Sequence, residues 1–115
     1  MKKVMIVEDS PVDCEHLSRI LRDAGCDISI APSGDAALDM LQRSRPDLVL
    51  MDVNMPGTDG FATARKMSRQ ADTKNIPVVF VTSKDQKADR VFAQMLGAKG
   101  YVTKPYQAAD ILAFI

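Results

Sequence analysis

At 115 residues the chain is long enough for one compact domain and too short for two. Hydrophobic residues make up 46%, sufficient for a single core, while 15 acidic side chains balance 15 basic ones. A net charge of zero excludes any general attraction to nucleic acid or to an anionic membrane.

The N-terminal run MKKVMIVEDS is too short in apolar residues for a signal peptide or a membrane span, so the chain is expected to stay in the reducing cytoplasm. Short β-branched runs at Val4–Val7, Ile28–Ala31, Leu48–Met51, Val78–Val81 and Tyr101–Val102 predict five strands. Helically spaced apolar residues lie between them. Leu17, Ile20 and Leu21 form the first stripe, and Ser10 caps that helix with Pro11 at its first position and Gly25 at its end. Cys14 shares this register and is expected to be a small buried hydrophobe, as is Cys26 at the head of the second strand; two cysteines are too few for a disulfide framework. Ala37, Leu38 and Leu41 form the second stripe. Asp59 caps the third helix after a turn at Met55-Pro56-Gly57, and Gly60 provides backbone room at its start. Arg65, Lys66 and Arg69 on that helix are expected to be a solvated face. Val91, Met95 and Leu96 form the stripe of the fourth helix, which Gly97 closes. A fifth helix starts near Gln107 and is expected to be cut short at Ile115. Lone His16 lies off the core stripe and is expected to face solvent.

Strands alternating with helices imply an α/β domain, residues 1–115, with a parallel sheet. The unbroken apolar runs Leu48–Met51 and Val78–Val81 fit central strands covered on both faces. In a doubly wound sheet, functional groups collect at the carboxyl ends of the strands. Those ends carry Glu8-Asp9, Asp52, Thr82-Ser83 and Lys104-Pro105. Three carboxylates on one rim repel one another unless a cation sits among them, and an all-oxygen set favours Mg²⁺ or Mn²⁺. A metal, the Lys104 ammonium and the Thr82 hydroxyl together supply what a transferring phosphoryl group needs. Asp52 is a carboxylate able to attack phosphorus.

The chain resembles the receiver domains of two-component signalling systems over essentially its whole length. The matching pieces are Glu8-Asp9, Asp52 in LVLMDVNMPGTDG, Thr82 in VVFVTS, and Tyr101 with Lys104-Pro105 in GYVTKPY. The stretch VTSKDQKADRVFAQMLGAKGYVTKP is similar to stand-alone regulators of twitching motility in chemotaxis-like pathways. The resemblance implies a flavodoxin-like, doubly wound five-stranded parallel sheet of order 2-1-3-4-5. It implies Asp52 as phosphoacceptor and metal ligand, Asp9 as a second ligand, the Asn54 carbonyl as a third, and Glu8 acting through a water. Lys104 would pair with Asp52 or its phosphoryl group, and Thr82 would bond a phosphoryl oxygen. Thr82 and Tyr101 would be the switch pair, Tyr101 turning inward on phosphorylation, with a cis peptide at Pro105. Asn54 and Lys84 would tune the phosphoryl lifetime. The implied partners are a histidine kinase or phosphotransfer protein upstream, and a downstream protein engaged by the fourth helix, fifth strand and fifth helix.

Two other classes fit less well. A haloacid-dehalogenase-type phosphatase needs a second acid two residues after the nucleophile, where this chain has Asn54, and a cap that 115 residues cannot hold. A flavin-binding carrier needs a Ser/Thr/Gly-rich phosphate loop after the first strand, where Glu8-Asp9-Ser10-Pro11 would repel the phosphate. The expectation is therefore a phosphoacceptor signalling domain and no enzyme acting on other substrates.

Overall fold

A computed structural model describes residues 1–115. Five strands, β1 (Lys3–Val7), β2 (Asp27–Ala31), β3 (Leu48–Met51), β4 (Val78–Thr82) and β5 (Gly100–Thr103), alternate with five helices. These are α1 (Pro11–Asp23), α2 (Gly34–Met40), α3 (Gly60–Ser68), α4 (Lys87–Met95) and α5 (Ala108–Leu112). The sheet is parallel throughout, in the order β2-β1-β3-β4-β5. No helix is long and apolar enough to cross a membrane.

Side chains alternate across the sheet, and each face builds its own core. Met5, Val7, Val49, Met51, Val78 and Phe80 point to the face covered by Ala37 and Leu41 of the α2 side, Ala64 and Met67 of α3, and Ala93 of α4. Val4, Ile6, Leu48, Leu50, Val79 and Val81 point to the face covered by Leu17 and Leu21 of α1 and Ile111 of α5. Burying a side chain such as Leu21, fully enclosed here, contributes about 1.5–3 kcal/mol.

Helix ends follow the local chemistry. Ser10, Ser33 and Asp59 accept from the backbone N–H groups of Asp13, Ala36 and Ala62. Gly25 and Gly97 take positive φ immediately after α1 and α4, a conformation that glycine adopts without steric cost.

Two expectations need correction. Val91 and Met95 do not face the core: they are 45% and 77% exposed, and α4 instead buries Ala93 with Phe92 and Leu96 partly covered. The cause is aromatic: Phe92 packs edge-on against Phe61, centroids 5.0 Å apart, which fixes the rotation of the helix. Cys14 is only half-buried, at the margin of the α1–α5 core, whereas Cys26 is buried just before β2. His16 is exposed, as expected, and its ring stacks on Tyr106 at 5.2 Å.

Candidate phosphoacceptor site

Parallel pairing carries the functional residues to one rim. Beyond the strand ends the ladder continues: Glu8 N–H donates to the Ala31 carbonyl at 3.1 Å, and Asp52 N–H to that of Val7 at 3.0 Å. Lys104 N–H donates to the Thr82 carbonyl at 2.9 Å, and the Lys104–Pro105 peptide bond is cis. Glu8, Asp52 and Thr82 are buried, whereas Asp9 is exposed at the mouth.

The centre of the site is one ammonium. Lys104 Nζ donates to Glu8 Oε2 at 2.9 Å, to Asp13 Oδ2 at 2.8 Å and to Asp52 Oδ2 at 3.1 Å. Burial alone would pull its pKa down, but the bonds to Asp13, Glu8 and Asp52 more than reverse this and hold it well above the usual lysine range. Elsewhere the pairs Arg19–Glu15, Arg43–Asp39 and Arg45–Asp72 are exposed and contribute little. Glu8 behaves oppositely to a simple ion-paired acid. Burial and the nearby Asp52 charge push its pKa up to about 7, against the downward pull of Lys104 and the Ser10 N–H.

Glu8, Asp9 and Asp52 each offer a carboxylate oxygen within 4.8 Å of the others. The donor set is all oxygen, two of the three acids are buried, and negative charge is in excess: Glu8, Asp13 and Asp52 share the single Lys104 ammonium, and Asp9 makes no ion pair. This suits a hard divalent cation such as Mg²⁺. Asn54 adjoins the cluster, its N–H donating to Asp52 Oδ1 at 3.1 Å and its side-chain amide to Ser83 Oγ at 3.5 Å.

Asp13 was missed by the sequence reading. Its only signal is an acid in the first turn of a helix, common for reasons of the helix dipole. Lys84 lies with its ammonium 4.0 Å from Asp89 of α4. Its backbone N–H donates to Thr82 Oγ1 at 3.3 Å, and its carbonyl accepts from the Tyr101 hydroxyl at 2.8 Å. Tyr101 is half-buried beside Phe80, with Arg90 over its ring at 5.1 Å. The Tyr101 hydroxyl is thus tied to the β4–α4 loop through the Lys84 carbonyl.

The family model of the response regulator receiver domain matches residues 4–115. The chain is 37% identical to Protein PilH of Pseudomonas aeruginosa over 115 residues, spanning the whole chain and 95% of that protein. Among solved structures it is similar to the chemotaxis protein CheY4 of Vibrio cholerae, with a TM-score of 0.92 and 31% identity over 99% of this chain and 95% of that one. It is also similar to the receiver domain of the sensor histidine kinase PA1611 of P. aeruginosa, solved with a magnesium ion coordinated in its active-site cleft. There the TM-score is 0.90, with 26% identity over 98% of this chain and 93% of that one. Such domains serve two-component signalling as phosphoacceptors, and this chain belongs to the response regulator receiver domain family.

Proposed function

We propose that this chain is a Mg²⁺-dependent phosphoacceptor switch, phosphorylated on Asp52 by a phosphohistidine of a partner histidine kinase or phosphotransfer protein. The observation that carries the reading is a buried Asp52 carboxylate bonded to Lys104 beside the oxygens of Glu8 and Asp9. In the transfer, an Asp52 oxygen forms a bond to phosphorus while the bond to the donor nitrogen breaks, and the leaving imidazole keeps the electron pair. Lys104 holds positive charge against the phosphoryl oxygens, and Thr82 donates its hydroxyl proton to one of them. Glu8, Asp9, Asp52 and the Asn54 carbonyl would hold Mg²⁺, which supplies neutralisation of the dianionic phosphoryl group.

The output follows from bonds already described. Moving the Thr82 hydroxyl toward a phosphoryl oxygen breaks its bond with the Lys84 N–H, and the same residue's carbonyl holds Tyr101. The α4–β5–α5 face, with Arg90 over Tyr101, is where a downstream protein would sense the change. The phosphoryl contacts need only favour one of two packings. Asn54 and Lys84 are the residues proposed to tune hydrolysis; with Lys84 directed toward Asp89, Asn54 is the better placed to orient a water. The likeness to PilH and CheY4 favours a stand-alone cytoplasmic regulator of chemotaxis-like type.

The test is metal removal. With acetyl phosphate and Mg²⁺, intact mass should rise by one phosphoryl group, and excess chelator should abolish the gain. Equal modification with and without chelator would refute the metal requirement.

Glu8 adds a pH dependence. Its pKa is raised in the folded chain from 4.5 to about 7, so the folded state binds more protons than the unfolded one across that interval. Stability from this group is therefore greatest below 4.5 and is lost as pH rises through about 7. Cation binding needs the ionised form, so the sign reverses for the metal. From about pH 8 to about pH 6, Mg²⁺ affinity measured by calorimetry should fall roughly tenfold. A flat affinity across this window would contradict the assignment.

A further inference from the structure

Three carboxylates share Lys104, and two of them, Glu8 and Asp52, belong to the oxygen cluster at the strand ends. The third does not. Asp13 stands on α1, in the first turn, where its N–H bonds Ser10 Oγ at 3.4 Å. Its side chain is 41% exposed, against 2% for Glu8 and 8% for Asp52. Asp13 therefore meets the ammonium from its more exposed side, and at 2.8 Å it is the shortest of the three contacts.

We propose that Asp13 is a positioning residue that holds Lys104 outward and thereby keeps Glu8 and Asp52 accessible to the divalent cation. The proposal rests on the metal-dependent reading above. An ammonium has three protons, and all three are engaged here. Lys104 and a divalent cation draw on the same two carboxylates, Glu8 and Asp52, and repel each other. Without the Asp13 charge, the ammonium has only Glu8 and Asp52 as ionic partners, and the cation must displace it from both. With Asp13 present, Lys104 keeps one ionic partner when the other two turn to the metal. No buried positive charge is then left unpaired.

The experiment is calorimetric titration with Mg²⁺ of the full chain and four variants: Asp13→Asn, Asp13→Glu, Lys104→Gln and the double variant Asp13→Asn/Lys104→Gln. Asp13→Asn is nearly isosteric, and Asp13 is only half-buried, so the fold is not at issue. Asp13→Asn should weaken Mg²⁺ binding about fivefold, the size expected for a partly exposed ion pair. Asp13→Glu should recover most of the loss, and Lys104→Gln should tighten binding. In the Lys104→Gln background, Asp13→Asn should change affinity by less than about twofold, because the residue through which it acts is gone. Unchanged affinity in Asp13→Asn overturns the proposal. So does an equal loss in both backgrounds, which would make Asp13 a distant anion acting directly on the metal. If the unaltered protein binds no Mg²⁺, the proposal and the reading beneath it fall together; if it binds Mg²⁺ and Asp13→Asn matches it, the proposal alone fails.

Discussion

Asp52→Asn will take up no phosphoryl group from acetyl phosphate and Mg²⁺ under conditions where the unaltered protein gains one. The substitution keeps the shape of the side chain and removes the nucleophile, since an amide oxygen does not form a stable bond to phosphorus. No neighbouring acid stands in the same position. Glu8 spends one oxygen on the Ser10 N–H and the other on Lys104, Asp9 is exposed, and Asp13 lies on α1. The fold will survive, because Lys104 keeps Glu8 and Asp13 as partners and one buried negative charge leaves a crowded cluster. Intact mass after incubation reads the outcome, with a thermal melt as the control for folding. A full phosphoryl mass on Asp52→Asn would remove Asp52 from its role.

The rim residues were legible in the sequence for a physical reason. A parallel sheet with both faces covered needs unbroken apolar runs, and the first polar residue after each run must lie at its carboxyl end. Glu8, Asp52 and Thr82 are such residues, and Lys104 follows Thr103 directly at the end of β5, so the strand pattern brings them together. What was not legible depends on side chains reaching between elements. Asp13 reads as an ordinary first-turn acid until β5 brings Lys104 to within 2.8 Å. The face of α4 was misjudged because Val91 and Met95 are as apolar as the residues that pack. The Phe61–Phe92 contact, formed between helices, selects among them. The stack of His16 on Tyr106 joins α1 to the segment before α5, and no spacing within either element reports it.

The second large effect concerns the backbone beneath Asp52. Gly60→Ala will destabilise the protein by about 3 kcal/mol and lower the melting temperature by roughly 10 °C. A Cβ at Gly60 would lie 2.2 Å from the Asp52 carbonyl oxygen and 2.9 Å from both the Asp52 carbonyl carbon and Val53 Cα. All three are backbone atoms at the end of β3, and Gly60 N–H is itself bonded to the Val53 carbonyl at 3.0 Å. Relief requires α3 and the β3–α3 connection to separate, which shifts the peptide that carries the phosphoacceptor. Gly100→Ala is the informative contrast. There a Cβ meets Phe114 ring atoms at 2.3 and 2.4 Å, an overlap of nearly the same size. The obstacle is the far end of a side chain, which can swing aside. Gly100→Ala should therefore cost less than about 1 kcal/mol. At a temperature where both variants are folded, phosphorylation from acetyl phosphate should slow at least tenfold in Gly60→Ala and stay near the unaltered rate in Gly100→Ala. Equal melting temperatures for the two variants would show that the nature of the obstructing atoms does not decide the cost. A normal rate in a destabilised Gly60→Ala would show that the end of β3 holds Asp52 in place independently of the helix packed against it.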